Sequence, residues 1–193
     1  TMMNYPIHSL CDEVCRIAIT TGKYLKEQQQ KIDTSSIEMK GARNYVTYVD
    51  KEAERQLVTA LSQLLPEAGF LTEEATVEFV EKQYVWIIDP LDGTTNYVHK
   101  DTPYSVSIAL MKEREILLGV VFDPVAEELY YAVENENARL NQKPIKVSEK
   151  NMLQNGYIGF GIPYNLTAEG EKILQNALHQ FKKCSFRIKG SAA

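Results

Sequence analysis

From residue 84 onward the chain passes through five short β-rich stretches, Tyr84–Ile88, Tyr104–Leu110, Ile116–Phe122, Leu129–Val133 and Ile145–Val147, separated by turn signals such as Asp123-Pro124. After Tyr104 the connections are short, which restricts the topology. An antiparallel meander is the preferred arrangement for strands so joined. A meander of this kind has to bury one face, and the preceding residues supply the cover. Ile7, Leu10, Val14, Ile17, Ala18 and Leu25 recur at helical spacing in a helix over 6–31. Ala53, Leu57, Leu61 and Leu64 do the same in a second helix over about 50–65, which stops at Pro66. Phe70 and Leu71 read as a short buried strand, and a strand near Gly156–Gly161, a helix near Thr167–Phe181 and a strand near Ser185–Lys189 follow. The order predicts an α+β fold of layered helices and sheets, taken as one domain over 1–193.

At 193 residues, 44% of them hydrophobic, such a chain has enough apolar material for a core without staples. A domain of this length buries about 70% of its unfolded surface. Cys11, Cys15 and Cys184 show no zinc-type spacing and read as buried reduced thiols. The net charge of −5, with basic residues dispersed, argues against a nucleic acid polymer as partner. The longest apolar run, Ile116–Phe122 with Gly119 inside it, is far short of a membrane span, and no secretory signal is present. A cytoplasmic protein with no membrane partner is expected.

The chemistry is concentrated in "WIIDPLDGTTNY", residues 86–97, where an apolar strand gives way to two aspartates, a turn and two threonines. Pro90 fixes φ and removes a donor, so Asp89, the Leu91 carbonyl and Asp92 can leave the strand end directed at one point. Oxygen ligands of this kind suit a hard cation. Mg²⁺ is preferred to Ca²⁺ because few ligands are offered and the other positions are left to water or phosphate. Gly93 permits a tight turn, and Thr94-Thr95-Asn96 reads as a helix start whose free N–H groups can hold a phosphate.

Glu73 and Glu74 in "LTEEA" add two carboxylates at the end of the preceding strand, and Asp50 either adds another or caps a helix beginning at Lys51. If all five meet in one cleft, each pair about 4 Å apart costs about 4 kcal/mol at an effective dielectric of 20. Bound cations would remove that cost and leave room for a phosphate, the two-metal logic of phosphoryl hydrolysis. Gly41 and its polar neighbours in "EMKGARNYVTYVD" read as a mobile turn, with Lys40–Asn44 expected to close over the metals. His99 reads as structural or peripheral to substrate.

Taken in order, "VTYVDKEAE", "LTEEA", "WIIDPLDGTTNYVH" and "GVVFDPVAEELYYA" resemble the inositol monophosphatase family of Mg²⁺-dependent phosphatases. The resemblance implies a layered α/β/α/β/α sandwich and two or three Mg²⁺. It implies metal ligation by Glu73, Asp89, the Leu91 carbonyl and Asp92, with Asp50 and Glu74 in the outer shell or on a further ion. Glu73 and Thr94 would orient the attacking water. Gly93, Thr94 and Thr95 would hold phosphate, and Gly190, Ser191 and Ala192 match the segment that meets substrate. The closing "GSAA" falls where the family continues into a Trp-Asp segment that completes its second metal site, so a missing C-terminal part is expected. The implied activity is hydrolysis of a small phosphate ester, most simply inositol monophosphate, by in-line attack of a metal-activated water, in a homodimer. A fructose-1,6-bisphosphate or 3′-phosphoadenosine nucleotide phosphatase of the same superfamily stays open. So do a noncatalytic metal- or phosphate-binding module and an aspartyl-phosphate mechanism, although DxxDGT is one residue longer than the DxDGT pattern of the last.

Overall fold

The computed structural model describes the backbone of residues 6–32, 39–162 and 166–188, with the side chains of 39–45 set aside. Its contacts divide the chain into two compact units, one reaching Lys146 and the other beginning at Val147. Both mix helix and strand.

In the first unit, helix α1 (Ile7–Gln30) buries Leu10, Val14, Ala18 and Leu25 along one stripe. Gly22 lies on the same stripe: a Cβ there would sit 2.5 Å from the Phe122 ring, so only glycine lets the helix lie this close to the sheet. Helix α2 spans Met39–Leu64. Seven strands follow in sheet order: β1 (Gly69–Thr72), β2 (Tyr84–Asp92), β3 (Ser105–Lys112), β4 (Glu115–Asp123), β5 (Glu128–Val133), β6 (Arg139–Leu140) and β7 (Lys143–Pro144). β1 pairs parallel with β2, and every later pair is antiparallel, so the expected meander is present. Trp86, Ile88, Val106, Ile108, Leu110, Leu118 and Val120 fill the core beneath the two helices. Between β2 and β3 lies the short helix α3 (Thr94–Val98). Tyr97 on α3 is fully buried, meets Tyr104 edge to face at 5.0 Å and donates its hydroxyl to the Leu25 carbonyl at 2.6 Å, which ties the turn to α1.

Three expectations are corrected. Residues 40–44 are not a loop: the backbone is helical from Met39, and Asp50 therefore lies inside α2 rather than capping it. Val46 and Val49 are buried on the stripe that continues through Ala53, Leu57 and Leu61, and this packing outweighs the roughly 1 kcal/mol that Gly41 costs a helix. Ile145–Val147 is not a strand either. Asn141 (φ 45°) and Gln142 (φ 71°) close a two-residue turn of left-handed residues, so the hairpin pairs 139–140 with 143–144 and Pro144 ends the ladder. Finally, β1 is an edge strand with Leu71 exposed rather than buried.

The second unit is a strand–helix–strand: β8 (Tyr157–Phe160), α4 (Ala168–Phe181) and β9 (Ser185–Ile188), with the strands parallel. Thr167 caps α4 by accepting the Gly170 N–H at 3.1 Å. Phe160, Phe181 and Phe186 meet with ring centroids 5.1 to 6.1 Å apart. No helix among the described residues is long and apolar enough to cross a membrane.

Candidate functional site

The parallel register of β1 and β2 ends with Thr72 beside Ile88, so both strands deliver their next residues, Glu73 and Asp89, to the same end of the sheet. The two lie near enough that the Glu73 carboxyl acts on the acidity of Asp89. Beyond Asp89, β2 changes step. Asp89 pairs with Ser107 and Asp92 with Ser105, so β2 advances one residue more than β3 between the two pairs. In a regular strand residues three apart face opposite sides of a sheet, and the bulge returns Asp92 to the face of Asp89. Pro90 fits inside it, having no N–H to give the ladder.

The turn then folds back on itself. Asp89 Oδ1 accepts the Leu91 N–H at 3.1 Å, and the Thr94 hydroxyl donates to the Leu91 carbonyl at 3.1 Å. Gly93 stands at φ 91°, the left-handed conformation that starts α3 and that would cost an L-residue roughly 1–2 kcal/mol.

From the other side comes α2, with Asp50 and Glu54 one turn apart on its buried face. Glu54 is fully buried, and its two carboxylate oxygens accept the backbone N–H groups of Glu74 and Thr76, each at 2.7 Å. Asp50 is 6% exposed, and its Oδ1 has no hydrogen-bond partner. It lines a cavity of about 360 Å³ together with Glu74, Thr94, Thr95, Thr47 and His99.

Crowding of like charge shows in the acidities. Burial, followed by the charges of Glu74, Asp89, Glu73 and Glu54, pushes the Asp50 carboxyl up to about 8. Burial, then the hydrogen bond and charge of Glu73 and the charge of Asp92, raises Asp89 to about 7, against a lowering pull from the Leu91 N–H. Burial raises Glu74 as well, although Lys51 opposes it. Among the described residues no three His, Cys, Asp or Glu side chains already stand as a ready ligand shell. The carboxylates are thus neighbours through charge without forming a ready ligand shell. The donor chemistry nevertheless fits a hard cation: carboxylates, a carbonyl and hydroxyls, with a buried unpaired oxygen on Asp50, one of the residues that line the cavity.

Of the residues expected from sequence, Asp50, Glu74, Thr94 and Thr95 line the cavity, while Glu73, Asp89, Leu91, Asp92 and Gly93 form the strand ends and the turn. Gly190, Ser191 and Ala192 lie outside the described residues. Glu54 belongs to none of the expected sets, although an acidic residue four after Asp50 on an apolar helical face is a readable signal. Thr47 and His99 join the cavity wall, which no spacing rule indicates.

The profile of the Inositol monophosphatase family matches residues 9–193. A "Fructose-1,6-bisphosphatase/inositol-1-monophosphatase" of Aquifex aeolicus is 35% identical over 152 residues, covering 78% of this chain and 58% of that protein. A "Nus factor SuhB" of Haemophilus influenzae is 33% identical over 181 residues, covering 92% of this chain and 67% of that protein. The crystal structure of extragenic suppressor protein suhB from Bartonella henselae superposes with a TM-score of 0.82 at 28% identity, over 96% of this chain and 72% of that one. The chain thus spans less than two thirds of the length of the Aquifex relative.

Proposed function

The chain belongs to the inositol monophosphatase family, and from that premise we propose that it is a Mg²⁺-dependent phosphomonoesterase acting on a small phosphate ester, most simply an inositol monophosphate. The observation that carries this reading is that Asp50, whose buried Oδ1 has no hydrogen-bond partner, lines one cavity with Glu74 and the threonines of the DGTT turn. Glu73, Asp89, the Leu91 carbonyl and Asp92 would hold the ions, with Asp50 and Glu74 behind them or on a further ion. When bound, Mg²⁺ neutralises the carboxylates and lowers the pKa of water toward about 7.

The chain's own groups supply the rest. Thr94 already donates its proton to the Leu91 carbonyl, which leaves its oxygen lone pairs to accept from a nucleophilic water. Glu73, at the end of β1 beside Asp89, would take the proton that this water gives up. Gly93, Thr94 and Thr95 offer backbone N–H groups to the phosphate at the start of α3. Gly190, Ser191 and Ala192 would meet the remainder of the substrate. The proposal includes a cytoplasmic homodimer and extends to sugar bisphosphates, because the Aquifex relative is named for both substrates.

A second reading is a noncatalytic metal- or phosphate-binding module, favoured because relatives such as the Haemophilus protein carry the name Nus factor SuhB and not that of a phosphatase. A panel of phosphate esters assayed with and without Mg²⁺ decides between them. Release of phosphate that needs Mg²⁺ supports the phosphatase. Phosphate binding with no turnover on any ester overturns it in favour of the binding role.

A further inference from the structure

Glu54 lies outside every expected ligand set, yet it is fully buried and spends both of its oxygens on one segment of backbone. We propose that Glu54 is a positioning residue for the cation site: by clamping the N–H groups of Glu74 and Thr76 it fixes where Glu73 and Glu74 present their carboxylates.

Three observations support the assignment, which rests on the cation-dependent reading above. First, the clamped segment is held in a conformation it would not choose. Ala75, between the two clamped amides, stands at φ 52°, where its Cβ is disfavoured, so the segment relaxes if the clamp is released. Second, the clamped segment belongs to the site itself: Glu74 lines one cavity with Asp50, Thr94 and Thr95. Third, Glu54 and Asp50 lie one turn apart on the same helix, so the two short bonds set Glu74 relative to Asp50 through a rigid element rather than through a loop. An apolar residue would fill the same space at lower cost, but it would leave both amides unpaired.

The test combines amide hydrogen exchange at Glu74 and Thr76 with calorimetric Mg²⁺ binding, in wild type and in Glu54→Gln. The amide of Gln keeps the shape and withdraws one acceptor. At least one of the two amides should lose its protection, and the Mg²⁺ dissociation constant should rise about 10- to 100-fold, the usual effect of removing a group that orients ligands. Glu54→Asp, which keeps the charge and shortens the reach by one methylene, should show the same pair of changes and serves if the Gln variant does not fold. Unchanged exchange overturns the clamp. Freed amides with unchanged Mg²⁺ affinity, or a wild type with no Mg²⁺ affinity, overturn the link to the cation site. A wild type that binds Mg²⁺ but hydrolyses no phosphate ester refutes the phosphatase reading alone, and the Glu54 comparison still supports or overturns the clamp.

Discussion

Replacing Asp50 by asparagine should stabilise the cation-free protein near neutral pH and reduce what a bound cation adds to its stability. The Asp50 carboxyl ionises at about 8 when folded, against an ordinary value of 3.8. The folded state therefore holds this proton more tightly than the unfolded chain, and stability falls as pH rises from about 4 and finishes falling near 8. At about 1.4 kcal/mol per pH unit the full cost is about 6 kcal/mol, an upper figure because water entering the cavity relaxes around the new charge. The asparagine of the variant has no proton to lose and carries none of this dependence. Urea unfolding followed through Trp86, the single tryptophan and fully buried, reads the effect directly in the presence of EDTA. At pH 4 the two proteins should differ little beyond the loss of one buried group, whereas at pH 8 the variant should be the more stable by a few kcal/mol. Saturating Mg²⁺ should narrow the gap at pH 8, since an ion at 100 times its dissociation constant adds about 2.7 kcal/mol to whichever protein binds it. Parallel pH profiles for wild type and variant in EDTA would refute the argument, because they would mean that Asp50 ionises in the folded protein as freely as in the unfolded one.

Asp92→Asn should leave the urea midpoint close to wild type and remove nearly all phosphate release, and full activity at saturating Mg²⁺ would remove Asp92 from the ligand set. Thr94→Ala should lower kcat more than it raises KM, because an orienting hydroxyl acts chiefly in the transition state; a raised KM at unchanged kcat would make Thr94 a phosphate binder only. Glu73→Gln should cost about 10²–10⁴-fold in kcat, measured at Mg²⁺ levels that saturate the variant. Gly22→Ala should destabilise despite alanine's better helix propensity, because the added methyl meets the Phe122 ring; a rise in melting temperature would show that α1 lifts from the sheet without penalty.

The strands and the DGTT turn were readable because their signals are local: apolar runs closed by turn residues, and aspartates where a strand should continue. What escaped the sequence depended on partners far along the chain. Residues 40–44 carry glycine and mixed charge and look like a turn, and only the burial of Val46 and Val49 reveals a helix that begins at Met39. Glu54 has the composition of a solvated helix face, and its burial follows from two backbone amides that arrive from about 20 residues away. The Asn141-Gln142 turn lacks the glycine that left-handed residues usually call for. Asn141 compensates by accepting the Leu129 N–H at 2.9 Å and donating to the Glu127 carbonyl at 3.1 Å through its side chain.

The extra residue in β2 has a consequence for how this stretch tolerates change. Because Asp89 and Asp92 stand three apart, the bulge between them is what lets the two share a face, and a straight ladder through the same residues would send them to opposite sides of the sheet. Exchanging Pro90 or Leu91 for a residue that regularises the ladder would therefore separate the pair without touching either aspartate. Deleting one of the two would instead take away the extra residue and leave the aspartates two apart in a regular strand, again on one face, so a shorter stretch would keep the pair where an unbulged stretch of the same length would not.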